Sequence, residues 1–133
     1  MKNLLSKTTL FSLGVVTLSG FAVLARPCSA DDDIAKGKTL YDGIGACAGC
    51  HGATGTGDGP AAGALNPKPR NFALGDFSLD TDADGKKGTE SDIANIIQNG
   101  AQKYGGSMMM TARPDIAEAD RKALAKYVLS LKK

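Results

Sequence analysis

Two thiols and an imidazole stand together at Cys47-Ala48-Gly49-Cys50-His51, the attachment pattern of a c-type haem. The spacing has a chemical reason. Two cysteines three residues apart on one helical turn reach the two vinyl groups on one side of a porphyrin and form thioethers with them. The next residue then brings an imidazole nitrogen to the iron as its proximal ligand. A structural zinc site needs four ligands and normally a second Cys/Cys or Cys/His pair, which the chain lacks. A thioredoxin-like dithiol needs a βαβ context, which is absent too. A plain Cys47–Cys50 disulfide leaves His51, the single histidine of the chain, unexplained.

Three helices are expected to position this motif. Ile34, Gly37, Leu40, Tyr41 and Ile44 share one helical face just before it. A second helix is expected from about Ser91 to Asn99. It has Ile93, Ile96 and Ile97 on one side, Thr89 or Ser91 as cap and Gly100 as stop. A third runs from about Ala117 to Leu131, with Ala123, Leu124, Tyr127, Val128 and Leu131 as its apolar stripe. Glu118 and Asp120 sit in its first turn, where the helix dipole favours acids. Residues 52–77 and 105–114 are rich in Gly and Pro and hold no strand-length alternation. The fold class is therefore all-α, with long loops around the motif.

The N-terminus reads as a targeting segment. Lys2 and Lys7 precede an uncharged run from Thr8 to Ala25, which ends on the small residues Cys28-Ser29-Ala30 before Asp31-Asp32-Asp33. That order is a secretory signal, with cleavage expected after Ala30, and it divides the chain into a leader, 1–30, and a domain, 31–133. The run is also just long enough for an uncleaved membrane anchor, the weaker reading. A lipid on Cys28 is weaker still, because Arg26-Pro27 is the wrong context. Removing the leader takes three positive charges and no negative ones, which turns the net charge from +2 to −1. The basic balance thus belongs to targeting and implies no nucleic-acid partner. The remainder keeps five aromatic residues, Tyr41, Phe72, Phe77, Tyr104 and Tyr127, and no Trp. So thin a core leaves room for a prosthetic group.

From residue 33 to 131 the chain resembles a small monohaem cytochrome c of class I. The resemblance rests on Cys47–His51, on Gly52 onward, on Ile96-Ile97-Gln98-Asn99-Gly100 and on Lys122-Ala123-Leu124-Ala125-Lys126-Tyr127-Val128. It implies a few helices wrapped around one covalent haem, the first and last crossing near Gly37 and Tyr127. One departure is visible: Tyr41 lies six residues before Cys47 where many relatives have four, which predicts a bulge near Gly43-Ile44-Gly45.

The resemblance also implies His/Met ligation. The methionines of the domain are Met108, Met109 and Met110. The run Met110-Thr111-Ala112-Arg113-Pro114-Asp115-Ile116 fits the family register with Met110 as distal ligand, Met108 and Met109 being the alternatives. Thr111 stands where relatives carry Pro, so the loop is less rigid. In similar cytochromes the histidine donates its other N–H to the carbonyl of a Pro after a Gly, which points to Pro60, with Pro67 and Pro69 behind it. Arg70, and with it Asn66, suits a haem propionate, since Arg matches carboxylates bidentately; an exposed Arg is the plain alternative.

Asp80, Asp82 and Asp84 have the spacing that opens a calcium loop, but Glu90 falls one place early, and a solvated acidic turn is the better reading. Tyr104 reads as core packing before haem contact, and Lys122, Lys126, Lys132 and Lys133 as a solvated face open to an acidic partner. The function implied is an exported one-electron carrier, in the periplasm or an equivalent compartment such as the thylakoid lumen, working between redox proteins as a monomer. The rival readings are a haem domain with an openable sixth position and a haem subunit of a larger oxidoreductase. With the one His on iron, no acid–base pair or nucleophile remains for an enzyme.

Overall fold

Ser29 and Asp32 start the first helix. The Ser29 hydroxyl accepts from the Asp32 N–H and the Asp32 carboxylate from the Ser29 N–H, both at 3.3 Å. This reciprocal cap, with Asp31, Asp32 and Asp33 against the positive end of the dipole, opens α1 at Ala30–Asp42. The helix therefore begins ahead of Ile34, where apolar periodicity first becomes visible. The computed structural model describes residues 29–133. The expected leader lies outside the described residues except for Ser29, which caps α1, and Ala30, its first residue.

Three further helices follow: α2 at Ala48–His51, α3 at Glu90–Asn99 and α4 at Glu118–Ser130. Short 3-10 turns lie at Ala62–Ala64, Phe72–Leu74 and Ala101–Tyr104, and the described residues contain no strand. The all-α expectation holds. No helix among the described residues is long and apolar enough to cross a membrane.

α1 and α4 cross at Gly37. A Cβ there would lie 2.1 Å from the Ala123 carbonyl oxygen and 2.7 Å from Tyr127 Cβ, so the backbones meet only because the side chain is missing. One turn on, the Tyr41 and Tyr127 rings pack edge to face with centroids 5.2 Å apart. Lys126 pairs with Asp33, and Lys36 with Asp120, across the same crossing. Lys126 is therefore part of the crossing, whereas Lys122, Lys132 and Lys133 are exposed.

α3 is capped at Thr89, whose hydroxyl accepts from the Asp92 N–H, and stops at Gly100. Ile93 and Ile97 turn inward and join Leu124, Tyr127 and Val128 of α4 in the core, with Ile116 and Tyr41. Asp92 is buried beside them, and each of its two oxygens accepts two hydrogen bonds. The N–H and hydroxyl of Thr81 serve one, those of Thr89 the other, all at 2.6–2.9 Å. The loop 80–89 is thereby stitched to α3.

Candidate functional site

α2 is one turn long and cannot stand on its own hydrogen bonds. Its support comes from both flanks. Ahead of it, the turn expected near Gly43–Gly45 is present: Gly45 donates to Leu40 at 2.8 Å and Cys47 to Tyr41 at 3.1 Å. Ala46 takes a positive φ of 51° to make the connection. Behind it, the N–H groups of Gly57, Gly59 and Ala61 donate to the carbonyls of His51, Cys50 and Gly49 at 2.7, 3.2 and 2.9 Å. Gly59 permits this, since a Cβ would sit 2.5 Å from the Gly49 oxygen.

His51 is held by a backbone group. Its Nδ1 lies 3.1 Å from the Arg70 carbonyl oxygen. A carbonyl can only accept, so Nδ1 carries the proton and Nε2 keeps its lone pair for a metal. The expectation that Pro60 supplies this carbonyl is corrected. Pro60 is exposed, in the loop that caps α2, and the acceptor is one residue past Pro69. The Phe72 N–H, donating to the Gly55 carbonyl at 2.7 Å, brings residues 70–72 against the imidazole. The Phe72 ring then stacks on His51 with centroids 4.4 Å apart and planes 20° apart. Burial lowers the His51 pKa, outweighing the Arg70 carbonyl that raises it, and favours the neutral ring a metal needs.

Cys47, Cys50 and His51 line one cavity of ≈ 410 Å³, which Met109 and Met110 line as well. Ile93, Leu124 and Val128 form part of its apolar wall. Both cysteines are free thiols, and burial pushes the Cys47 thiol up to about 11. The three methionines differ in burial. Met108 and Met109 are 66% and 49% exposed, whereas Met110 packs against the core cluster.

Arg70 also lines the cavity, but its guanidinium is occupied: Nη1 donates to the Asp76 carbonyl and Nη2 to the Ser78 hydroxyl at 3.0 Å. Asn66 is exposed and does not itself line the cavity, although its neighbours Leu65 and Pro67 do. The Tyr104 hydroxyl accepts from Asn99 Nδ2 at 2.8 Å, beyond the cavity lining. Asp80, Asp82 and Asp84 bring one carboxylate oxygen each within 4.8 Å of one another. Asp82 and Asp84 are exposed; Asp80 Oδ2 accepts from Gly85 at 3.0 Å, and its Oδ1 is buried without a partner.

The cytochrome c family model matches residues 34–132. The chain belongs to the cytochrome c family. Among solved structures, this cytochrome is similar to a chain of the Kuenenia stuttgartiensis reducing HAO-like protein complex Kustc0457/Kustc0458, at 28% identity and a TM-score of 0.59. The match covers 76% of this chain and 44% of that one, so the cytochrome spans less than half of its structural neighbour. No curated protein sequence matches it. The family implies covalent haem c, and the residues fit one: two unpaired thiols at the attachment spacing, an imidazole with a free Nε2, and a largely apolar cavity shared by all three.

Neither Phe72 nor the Arg70 carbonyl was legible as part of the site. The available signal was local: Pro-Arg-Asn-Phe ends with an aromatic after a rigid Pro-Lys-Pro turn.

Proposed function

We propose that this cytochrome is an exported single-electron carrier of class I with His51 and Met110 as the axial ligands. The observation that carries the reading is that one cavity gathers Cys47, Cys50, His51 and the most buried of the three methionines. Haem c bound there supplies one-electron exchange between Fe(III) and Fe(II). The chain does the rest. Cys47 and Cys50 anchor the group, and the Arg70 carbonyl fixes the His51 tautomer and ring plane. A Met110 thioether, a soft donor, favours the reduced metal and raises the potential. Apolar walls from α3 and α4 exclude water and limit reorganisation on electron transfer.

The reading includes no enzymatic step, because the single histidine is committed to iron. Partners are a redox donor and acceptor that dock weakly. Export rests on the leader-like residues 1–30. A second reading, a haem subunit of a larger oxidoreductase, is favoured by the likeness to a chain of a protein complex.

The test is an optical spectrum of the haem-loaded protein, oxidised and reduced, with and without carbon monoxide. A low-spin spectrum with a Met–iron charge-transfer band and indifference to carbon monoxide is expected. A high-spin reduced form that binds carbon monoxide overturns the closed carrier in favour of an openable sixth position. Purification in a stoichiometric complex with a second redox protein favours the subunit reading.

A further inference from the structure

Arg113 has no part in the site described above, yet it joins its two halves. The segment Met110–Arg113 lies along the end of α3: the Ala101 N–H donates to the Met110 carbonyl at 3.1 Å and the Arg113 N–H to the Ile97 carbonyl at 2.7 Å. From there the guanidinium reaches residues far away in sequence. Nη1 donates to the Gly45 carbonyl and Nη2 to the Ile44 carbonyl, each at 2.9 Å. Its other edge is held by Asp115, with Nε to Oδ1 at 2.9 Å and Nη2 to Oδ2 at 2.8 Å. Four of its five N–H donors are thus used, in the planar fork that a lysine cannot reproduce.

The position of this fork gives it meaning. Ile44 and Gly45 form the turn immediately before Cys47, and the Gly45 oxygen also lies 3.5 Å from Cys47 Sγ. Among the described residues, no other hydrogen bond joins residues 43–51 to residues 105–115. Thr111, unlike a proline, leaves its backbone φ unrestrained, so this loop relies on contacts with the rest of the fold for its closure.

We propose that Arg113 is a positioning residue that clamps the methionine loop to the turn before Cys47 and so sets how firmly Met110 stays on the iron. The inference rests on the His51/Met110 reading. A thioether bound to iron competes with any other ligand, and an outside ligand binds with an affinity scaled by the fraction of loop that is open. Removing the fork leaves two carbonyls without their charged partner and raises that fraction.

The experiment is an imidazole titration of the oxidised haem-loaded protein, following the Met–iron band, for wild type, Arg113→Gln, Arg113→Lys and Asp115→Asn. Arg113→Gln is expected to bind imidazole about tenfold more tightly, the equivalent of one charged hydrogen bond. Arg113→Lys keeps the charge without the fork and falls between; Asp115→Asn shifts less, in the same direction. Lys36→Ala, which removes an ion pair with Asp120 and leaves every cavity-lining residue in place, controls for stability alone and keeps the wild-type affinity. Should Arg113→Gln not load haem, the Lys and Asn variants decide. A wild-type Met–iron band combined with unchanged imidazole affinity in the Arg113 variants overturns the clamp and leaves the ligand reading standing. Absence of the band in wild type overturns both.

Discussion

The Tyr41 hydroxyl donates to the Gly52 carbonyl across 2.8 Å, in a fully buried bond between α1 and the residue that follows His51. The same ring packs edge to face on Tyr127 of α4. One side chain thus couples the helix crossing to the end of the attachment turn.

Tyr41→Phe keeps the ring and removes the donor, leaving a buried carbonyl unpaired. The cost is about 1–2 kcal/mol, or a Tm lower by roughly 4–16 °C for a domain of this size. Thermal unfolding of the haem-loaded protein measures it. A Tm equal to wild type means that water or another donor serves the Gly52 oxygen.

Gly37→Ala tests the crossing itself. The added methyl would overlap the Ala123 carbonyl, so the helices must separate. Overpacking of this kind costs about 1–3 kcal/mol. Urea unfolding is expected to give a lower midpoint with the slope preserved. An unchanged midpoint would show that α1 and α4 can slide apart without loss.

Asp92 makes stability depend on acid. Burial pushes its carboxyl up, but the hydrogen bonds from Thr81 and Thr89 outweigh that and leave it below its ordinary value. A carboxyl lowered on folding stabilises above its unfolded pKa of about 4, and that contribution fades as pH falls through the folded value. Wild type is therefore expected to lose Tm below about pH 4 more steeply than Asp92→Asn. At neutral pH the variant, whose amide faces N–H donors, should melt at least about 5 °C lower. Parallel Tm curves across this pH range would remove Asp92 as the acid-sensitive group.

The methionines separate by spectrum. Met110→Ala is expected to abolish the Met–iron band, open the reduced iron to carbon monoxide and lower the potential. Met108→Ala and Met109→Ala should keep the band, since these residues are 66% and 49% exposed. If Met109→Ala alone erases it, Met109 is the ligand, as its place in the cavity lining permits.

Much of this molecule was legible in the sequence because its signals are local. Cys47-Ala48-Gly49-Cys50-His51 places its donors within one turn, whatever the rest of the chain does. The periods of Ile93/Ile97 and Leu124/Val128 marked α3 and α4 closely, whereas the crossing near Gly37 and Tyr127 was implied only by the family resemblance. The start of α1 was also local but written differently, in a Ser29/Asp32 capping box rather than in apolar spacing.

What only the tertiary structure decided are contacts made by backbone groups, or by residues distant in sequence. A carbonyl carries no residue identity, so nothing in the letters distinguishes Arg70 from Pro60 as the acceptor for His51; the packing of residues 70–72 against α2 does. The family register already singled out Met110 among three adjacent methionines; the fold adds that Met110 packs on the core while Met108 and Met109 are exposed. Arg113 reads as one more charged residue until the fold brings the Ile44 and Gly45 carbonyls, 69 and 68 residues away, into its fork. Sequence patterns record which groups a segment offers, whereas the partner of a backbone oxygen is settled only when loops and helices share one packed space.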